Sequence, residues 1–139
     1  MISGIDSSVI LDVLSDDPNF ADGSEQMLRE ASNMGQLVLC ECVLAEIYPA
    51  LGSQERCLDF LSDWQVDFVP SSPESAILAG ANFARHLSRG GQKGRIVADF
   101  LIGAHAQLHA DRLIARDRGY LRDYFEELTV LDPSEAPST

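Results

Sequence analysis

This sequence predicts an α/β fold, with helices on both faces of a central, mostly parallel five-stranded sheet. Three observations predict it. Short apolar runs of strand length alternate along the chain with longer stretches of helical period. The chain has 139 residues, 45% of them apolar and 23% charged, which suits one globular domain with a real core. Asp6 and Asp117 each follow a predicted strand directly, and the crevice outside the carboxyl ends of the strands is where open α/β sheets bind ligands.

Taken in order, Ile2–Ile5 reads as a short buried strand and Ser7–Leu14 as the helix it feeds. Asp16-Asp17-Pro18 breaks that helix, because proline lacks a donor and restricts the residue before it. Met27, Leu28, Ala31 and Met34 set a helical period over 22–34, which Gly35 ends. Gln36–Cys40 is a second buried strand, and a helix from about Glu41 carries Val43, Leu44, Ile47 and Leu51, bent by Pro49. Gln54–Trp64 is amphipathic and Val66–Val69 is a third strand. Pro70 to Pro73 makes a turn before a helix over Ser75–Ser88. Residues 90–94, GGQKG, read as a mobile loop, and Ile96–Ala110 as an apolar, buried helix. Arg112–Ala115 is the fourth strand, a short helix runs through Phe125, and Thr129–Leu131 is the fifth. Residues 1–132 are expected to form the single domain, and 133–139 a disordered C-terminal tail.

Composition narrows the function. No apolar run approaches the roughly 18 residues of a membrane span, and no signal peptide is visible, so no membrane role and a cytoplasmic location are expected. Cys40, Cys42 and Cys57 have no zinc-ligand spacing and read as free thiols. Net charge is −12, unevenly spread. Residues 1–84 carry 14 acidic groups against Arg29 and Arg56, and residues 85–139 carry 8 of each sign. The whole molecule repels phosphate, so a nucleic-acid enzyme of this kind needs metal ions and a local arginine cluster.

Four carboxylates are candidates for chemistry. Asp6 ends the first strand, Glu46 lies one and a half turns into the third helix, Asp99 sits near the start of helix 96–110, and Asp117 follows the fourth strand. Asp6 and Asp117 are equally suited to capping helices, and Glu46 to a solvated helix face. Asp99 interrupts the apolar run IVADFLIGAHA, where a charge needs a partner. Arg95, four residues earlier, is one option and a site is the other. Two carboxylates about 4 Å apart repel by roughly 4 kcal/mol at an effective dielectric near 20, so a group of them calls for a cation. Oxygen donors without histidine or thiol suit Mg²⁺ or Mn²⁺, which polarise a phosphoryl oxygen and acidify a bound water. Ser8 is placed to hold that water or a ligand carboxylate.

These segments resemble a known family. DSSVIL at 6–11, the Ala45-Glu46 pair, RIVADFLIGAHA at 95–106 and ARDRGYLRDYF at 115–125 are similar, in order and spacing, to the motifs of PIN domains, above all VapC toxins of bacterial toxin–antitoxin pairs. The resemblance implies a three-layer α/β/α sandwich and a Mg²⁺- or Mn²⁺-dependent endoribonuclease. It also implies a homodimer, a cognate antitoxin that blocks the acidic pocket, and an RNA substrate, with tRNA or rRNA expected. By matching motif positions, Asp6, Glu46, Asp99 and Asp117 form the acidic quartet with Ser8 beside them. Asp6, Asp99 and Asp117 are the expected metal ligands. The family often has Thr or Ser where this chain has Ala115.

Arg85, Arg89, Lys93 and Arg95 cluster around the glycine loop, and Arg116, Arg118 and Arg122 surround Asp117. Arg95 and Arg116 are expected to hold RNA phosphates, with surface ion pairing as the alternative. His105 and His109, at i and i+4, lack the glutamate of HExxH and face away from Asp99, so core or interface positions are expected. Trp64, Phe83, Tyr120 and Phe125 read the same way. Two other functions fit the same pattern. One is a non-catalytic PIN-like module that captures a partner in the acidic pocket. The other is a phosphoacceptor receiver domain, which wants a lysine after the last strand, whereas the sole lysine is Lys93.

Overall fold

A computed structural model describes residues 1–91, 97–116 and 119–135. Strands β1 (Ile2–Ile5), β2 (Gln36–Leu39), β3 (Val66–Phe68), β4 (Arg112–Ile114) and β5 (Val130–Leu131) form one sheet in the order β3-β2-β1-β4-β5. Every pairing is parallel. Parallel strands need crossovers, supplied here by helices α1 (Ser7–Leu14), α2 (Ala21–Met34), α3 (Glu41–Leu51), α4 (Gln54–Asp63), α5 (Pro73–Ser88), α6 (Val97–His109) and α7 (Tyr120–Tyr124). Successive strand side chains point to opposite faces, yet Ser3, Gly4 and Ile5, and Leu37, Val38 and Leu39, are all buried. Both faces of the central strands are therefore covered, which gives the three layers.

The order matters for the site. From β1 the chain steps to β2 and β3 on one side, then crosses to β4 and β5 on the other. The switch falls between β1 and β4, and the crevice opens at their carboxyl ends. Receiver domains are wound in a different order, 2-1-3-4-5, so the third sequence-based alternative fails on topology as well as on Lys93.

Element boundaries follow local chemistry. Ser72 and Ser75 form a reciprocal cap at the start of α5, with Pro73 in its first turn, so the helix begins two residues earlier than the periodicity predicts. α3 runs on past Pro49 to Leu51 and stops at Gly52, whose φ of 90° and N–H to the Tyr48 carbonyl (2.7 Å) close the last turn. α6 is buried as expected, with Phe100 and Ile102 to Ala106 all inside. Trp64 packs on Phe60, and Phe83, Tyr120 and Phe125 ring Phe100. The three thiols are free. Of the expected tail, residues 133–135 make a turn in which Glu135 pairs with Arg122, and 136–139 lie outside the described residues.

Candidate active site

Asp6 is the first residue past β1, and its backbone N–H donates to the Ile114 carbonyl of β4 (2.9 Å). The strand that ends in Asp6 is thereby fixed to the one that leads to Asp117. The Asp6 carboxylate caps α1, accepting from the Ser8 N–H (3.4 Å) and from the Ser8 hydroxyl (2.5 Å). That same hydroxyl accepts from the Arg116 N–H (3.3 Å). Ser8 thus ties Asp6 to the β4 exit with two bonds, which is the carboxylate-holding option read from the sequence. Ala115, which lacks the hydroxyl common at its position, is fully buried, and its N–H donates to Leu131 in the ladder (3.0 Å).

Glu46 stands exposed on α3, where the Ser7 hydroxyl donates to its Oε1 (3.1 Å). Consecutive serines therefore hold two members of the quartet, Ser7 gripping Glu46 and Ser8 gripping Asp6. Ser7 was not singled out in the sequence, although a buried serine beside a strand-ending Asp is the signal. Asp99 is half-buried in the first turn of α6. Because α6 leads back into the start of β4, its first turn lies at the carboxyl edge, the same edge as Asp6. Asp117, Arg95, Lys93 and Arg118 lie outside the described residues. Among the described residues no three His, Cys, Asp or Glu side chains form a group able to hold a metal ion. Asp6, Glu46 and Asp99 are hard oxygen donors of the kind that suit Mg²⁺ or Mn²⁺.

Arg116, expected from the sequence to hold an RNA phosphate, has its guanidinium engaged within the fold. Its guanidinium forks onto Asp12, with Nε to Oδ2 and Nη2 to Oδ1 both at 2.8 Å, and lies 4.3 Å from the centre of the Phe20 ring. Asp12 is buried and also accepts from the Ser24 hydroxyl (3.1 Å). With both prongs committed to Asp12, Arg116 braces α1 and α2 against the β4 exit and holds its own N–H under Ser8. Arg122 is likewise engaged, by Glu135.

The first turn of α3 adds a strip of polar groups at the carboxyl end of β2. The Cys42 thiol is shifted down by its hydrogen bond with the Cys40 side chain, against burial and the nearby Glu41 and Glu46 carboxylates. Cys40 is pushed up by that same bond and by burial. Burial pushes Glu41 up, but hydrogen bonds from Ser71 outweigh it and leave the carboxyl below its usual range. His105 is a core residue, as expected, and burial lowers its pKa. His109, half-buried, meets the Ser72 hydroxyl at 3.1 Å.

A family model described as PIN domain matches residues 5–125. No curated protein matches the chain. Among solved structures, VapBC2 from Rickettsia felis, bound to a DNA fragment from its promoter, aligns with a TM-score of 0.71 at 20% identity. That match covers 95% of this chain and 98% of the other. VapBC-1 from nontypeable Haemophilus influenzae gives 0.70 at 20% identity over 97% and 100%. A toxin–antitoxin complex from Klebsiella pneumoniae gives 0.63 at 17% identity over 96% and 99%.

Proposed function

Because the chain belongs to the PIN-domain family, we propose that it is a divalent-metal-dependent endoribonuclease, the toxin of a toxin–antitoxin pair. The observation that carries this reading is the hydrogen-bonded junction of Asp6, Ser8 and Arg116 at the β1/β4 switch point, which holds Asp6 beside the strand exit that leads to Asp117. The neighbours described as VapBC or as toxin–antitoxin complexes support a protein antitoxin as partner, and a homodimer is part of the same proposal.

Asp6, Asp99 and Asp117 would hold a Mg²⁺ or Mn²⁺ ion, with Glu46 in support. Such an ion, when bound, supplies a polarised phosphoryl oxygen and an acidified water. The chain's own part is positional. Ser8 fixes the Asp6 carboxylate so that one oxygen is committed to the hydroxyl and the backbone while the group stays half-exposed. Ser7 keeps Glu46 turned toward the same crevice, where it can accept a proton from an attacking water or orient it. Arg116, locked on Asp12, keeps the β4 exit from drifting.

The alternative reading is a non-catalytic module that captures a partner in the acidic pocket. Titration with Mn²⁺ separates the two. The nuclease reading expects saturable binding that Asp6→Asn or Asp99→Asn weakens tenfold or more, and that Ser8→Ala weakens by roughly tenfold, the low end for a residue that orients a ligand. A binding module predicts no saturable Mn²⁺ site in the wild type.

A further inference from the structure

A second cleft, of about 350 Å³, lies between the carboxyl end of α5 and the start of α7. Its walls are His86, Arg89 and Gly91 on one side and Gly119, Tyr120 and Asp123 on the other. The volume is at the small end for ligand sites, enough for one planar group with its appendages. Phe100, the residue after Asp99, packs against the rings of His86 (5.6 Å), Tyr120 (6.2 Å) and Tyr124 (5.2 Å), all of which line the cleft. Gly119 lies two residues beyond Asp117. The cleft therefore adjoins two of the quartet's positions along the chain.

Its chemistry is unlike that of the rest of this acidic molecule. The Arg89 guanidinium lies 5.2 Å from the centre of the Tyr124 ring, and Arg85 lies 5.5 Å from the same ring. Neither makes an ion pair with a described carboxylate; Arg85 bonds the Asn82 amide (3.0 Å). Two guanidinium groups are thus held by one aromatic ring and an amide, with their charge available to an anion. His86 is 8% exposed. Its Nδ1 meets the Tyr124 hydroxyl at 3.3 Å, while its buried Nε2 has no hydrogen-bond partner among the described residues. A Cβ on Gly91 would fall 2.2 Å from that Nε2, so only glycine fits over the ring. That nitrogen lies under the cleft's glycine wall, a polar edge that the described residues do not satisfy.

We propose that this cleft is a nucleotide subsite that seats one residue of the RNA flanking the bond to be cut, with Tyr120 stacking the base and Arg89 pairing a phosphate. His86 sits beneath as the floor that sets the tilt of both tyrosines, edge-on to Tyr120 (85°) and to Tyr124 (80°). The inference rests on the nuclease reading, but the binding it predicts does not require catalysis.

The test uses the full chain and fluorescein-labelled oligoribonucleotides of six to eight residues, first in EDTA and then with Mg²⁺ or Mn²⁺. In EDTA, Arg89→Ala and Tyr120→Ala should each weaken RNA binding by about tenfold, the low end for lost base stacking or a lost phosphate contact. Tyr120→Phe should bind as the wild type does, and Arg89→Lys should recover part of the loss. With metal, the two alanine variants should raise KM more than they lower kcat and shift the preferred base beside the cut. Unchanged EDTA affinity in both folded alanine variants would overturn the subsite, whatever the cleavage result. Wild-type protein that binds RNA through Arg89 and Tyr120 but cuts nothing would overturn the nuclease reading and leave the subsite standing.

Discussion

Asp12 and Arg116 form a part-buried ion pair where α1, α2 and the β4 exit meet. Removing the guanidinium leaves a buried carboxylate with only the Ser24 hydroxyl, and breaking a buried pair costs about 3–5 kcal/mol. Arg116 keeps a third of its side-chain surface exposed, so Arg116→Ala is expected to lose about 2–3 kcal/mol in urea denaturation. Arg116→Lys should recover little of this, since an ammonium cannot fork. A loss below about 0.5 kcal/mol would show the clamp to be idle. His105 gives a pH signature. Its folded pKa lies below the ordinary 6.5, so between the two values the unfolded chain binds the extra proton. The stability it contributes is complete above pH 6.5 and is lost as pH falls through its folded value; Glu41 adds a loss of the same sign below pH 4.5. Urea midpoints at pH 7.5, 6.5 and 5.5 should fall more steeply for wild type than for His105→Asn, and equal slopes would contradict this. The half-buried place of Asp99 on α6 was legible in the sequence because a charge interrupts an apolar run. Asp12 interrupts VILDVL at 9–14 in the same way, and it too is buried with a partner. Its partner Arg116 was not legible, because the pairing crosses about a hundred residues of chain.

At the scale of elements, α6 is the piece that carries Asp99 while packing into the core, and Gly103 sets how closely it approaches α7. A Cβ at Gly103 would lie 2.7 Å from the Phe125 ring and 3.0 Å from Leu121. Glycine to alanine inside a helix ordinarily gains about 1 kcal/mol. Here overpacking costs about 1–3 kcal/mol, so Gly103→Ala should lower the unfolding free energy by about 1 kcal/mol. A more stable variant would mean that α7 shifts freely. Elements were the most legible level, since the 3.6 and 2 periods are local properties. The β3-β2-β1-β4-β5 order was not, because strand pairing is fixed by non-local contacts, and β5, with two residues, carries hardly any pattern. The Ser72 cap advanced α5 by a mechanism that hydrophobic period does not encode.

For the whole molecule, a charge of −12 would limit how the proposed nuclease holds RNA. Few phosphates can be paired by the arginines near the crevice, so binding in EDTA should depend weakly on salt. A slope of log affinity against log salt shallower than about −3 corresponds to roughly four neutralised phosphates on a single strand. A slope near −6 would indicate a basic tract that the described surface lacks. The acidic half of the chain would complement a basic partner surface, so a cognate antitoxin, if the proposed function holds, is expected to present basic groups there. The most direct test of the account is cleavage of a mixed tRNA and rRNA pool by the purified protein in Mg²⁺, Mn²⁺ or EDTA, with Asp6→Asn and Asp99→Asn alongside. Discrete cuts that need both the metal and both carboxylates, with losses of a hundredfold or more in each variant, are the predicted result (about 2.7 kcal/mol of barrier). Cuts that persist in EDTA, or in the folded variants, would contradict it.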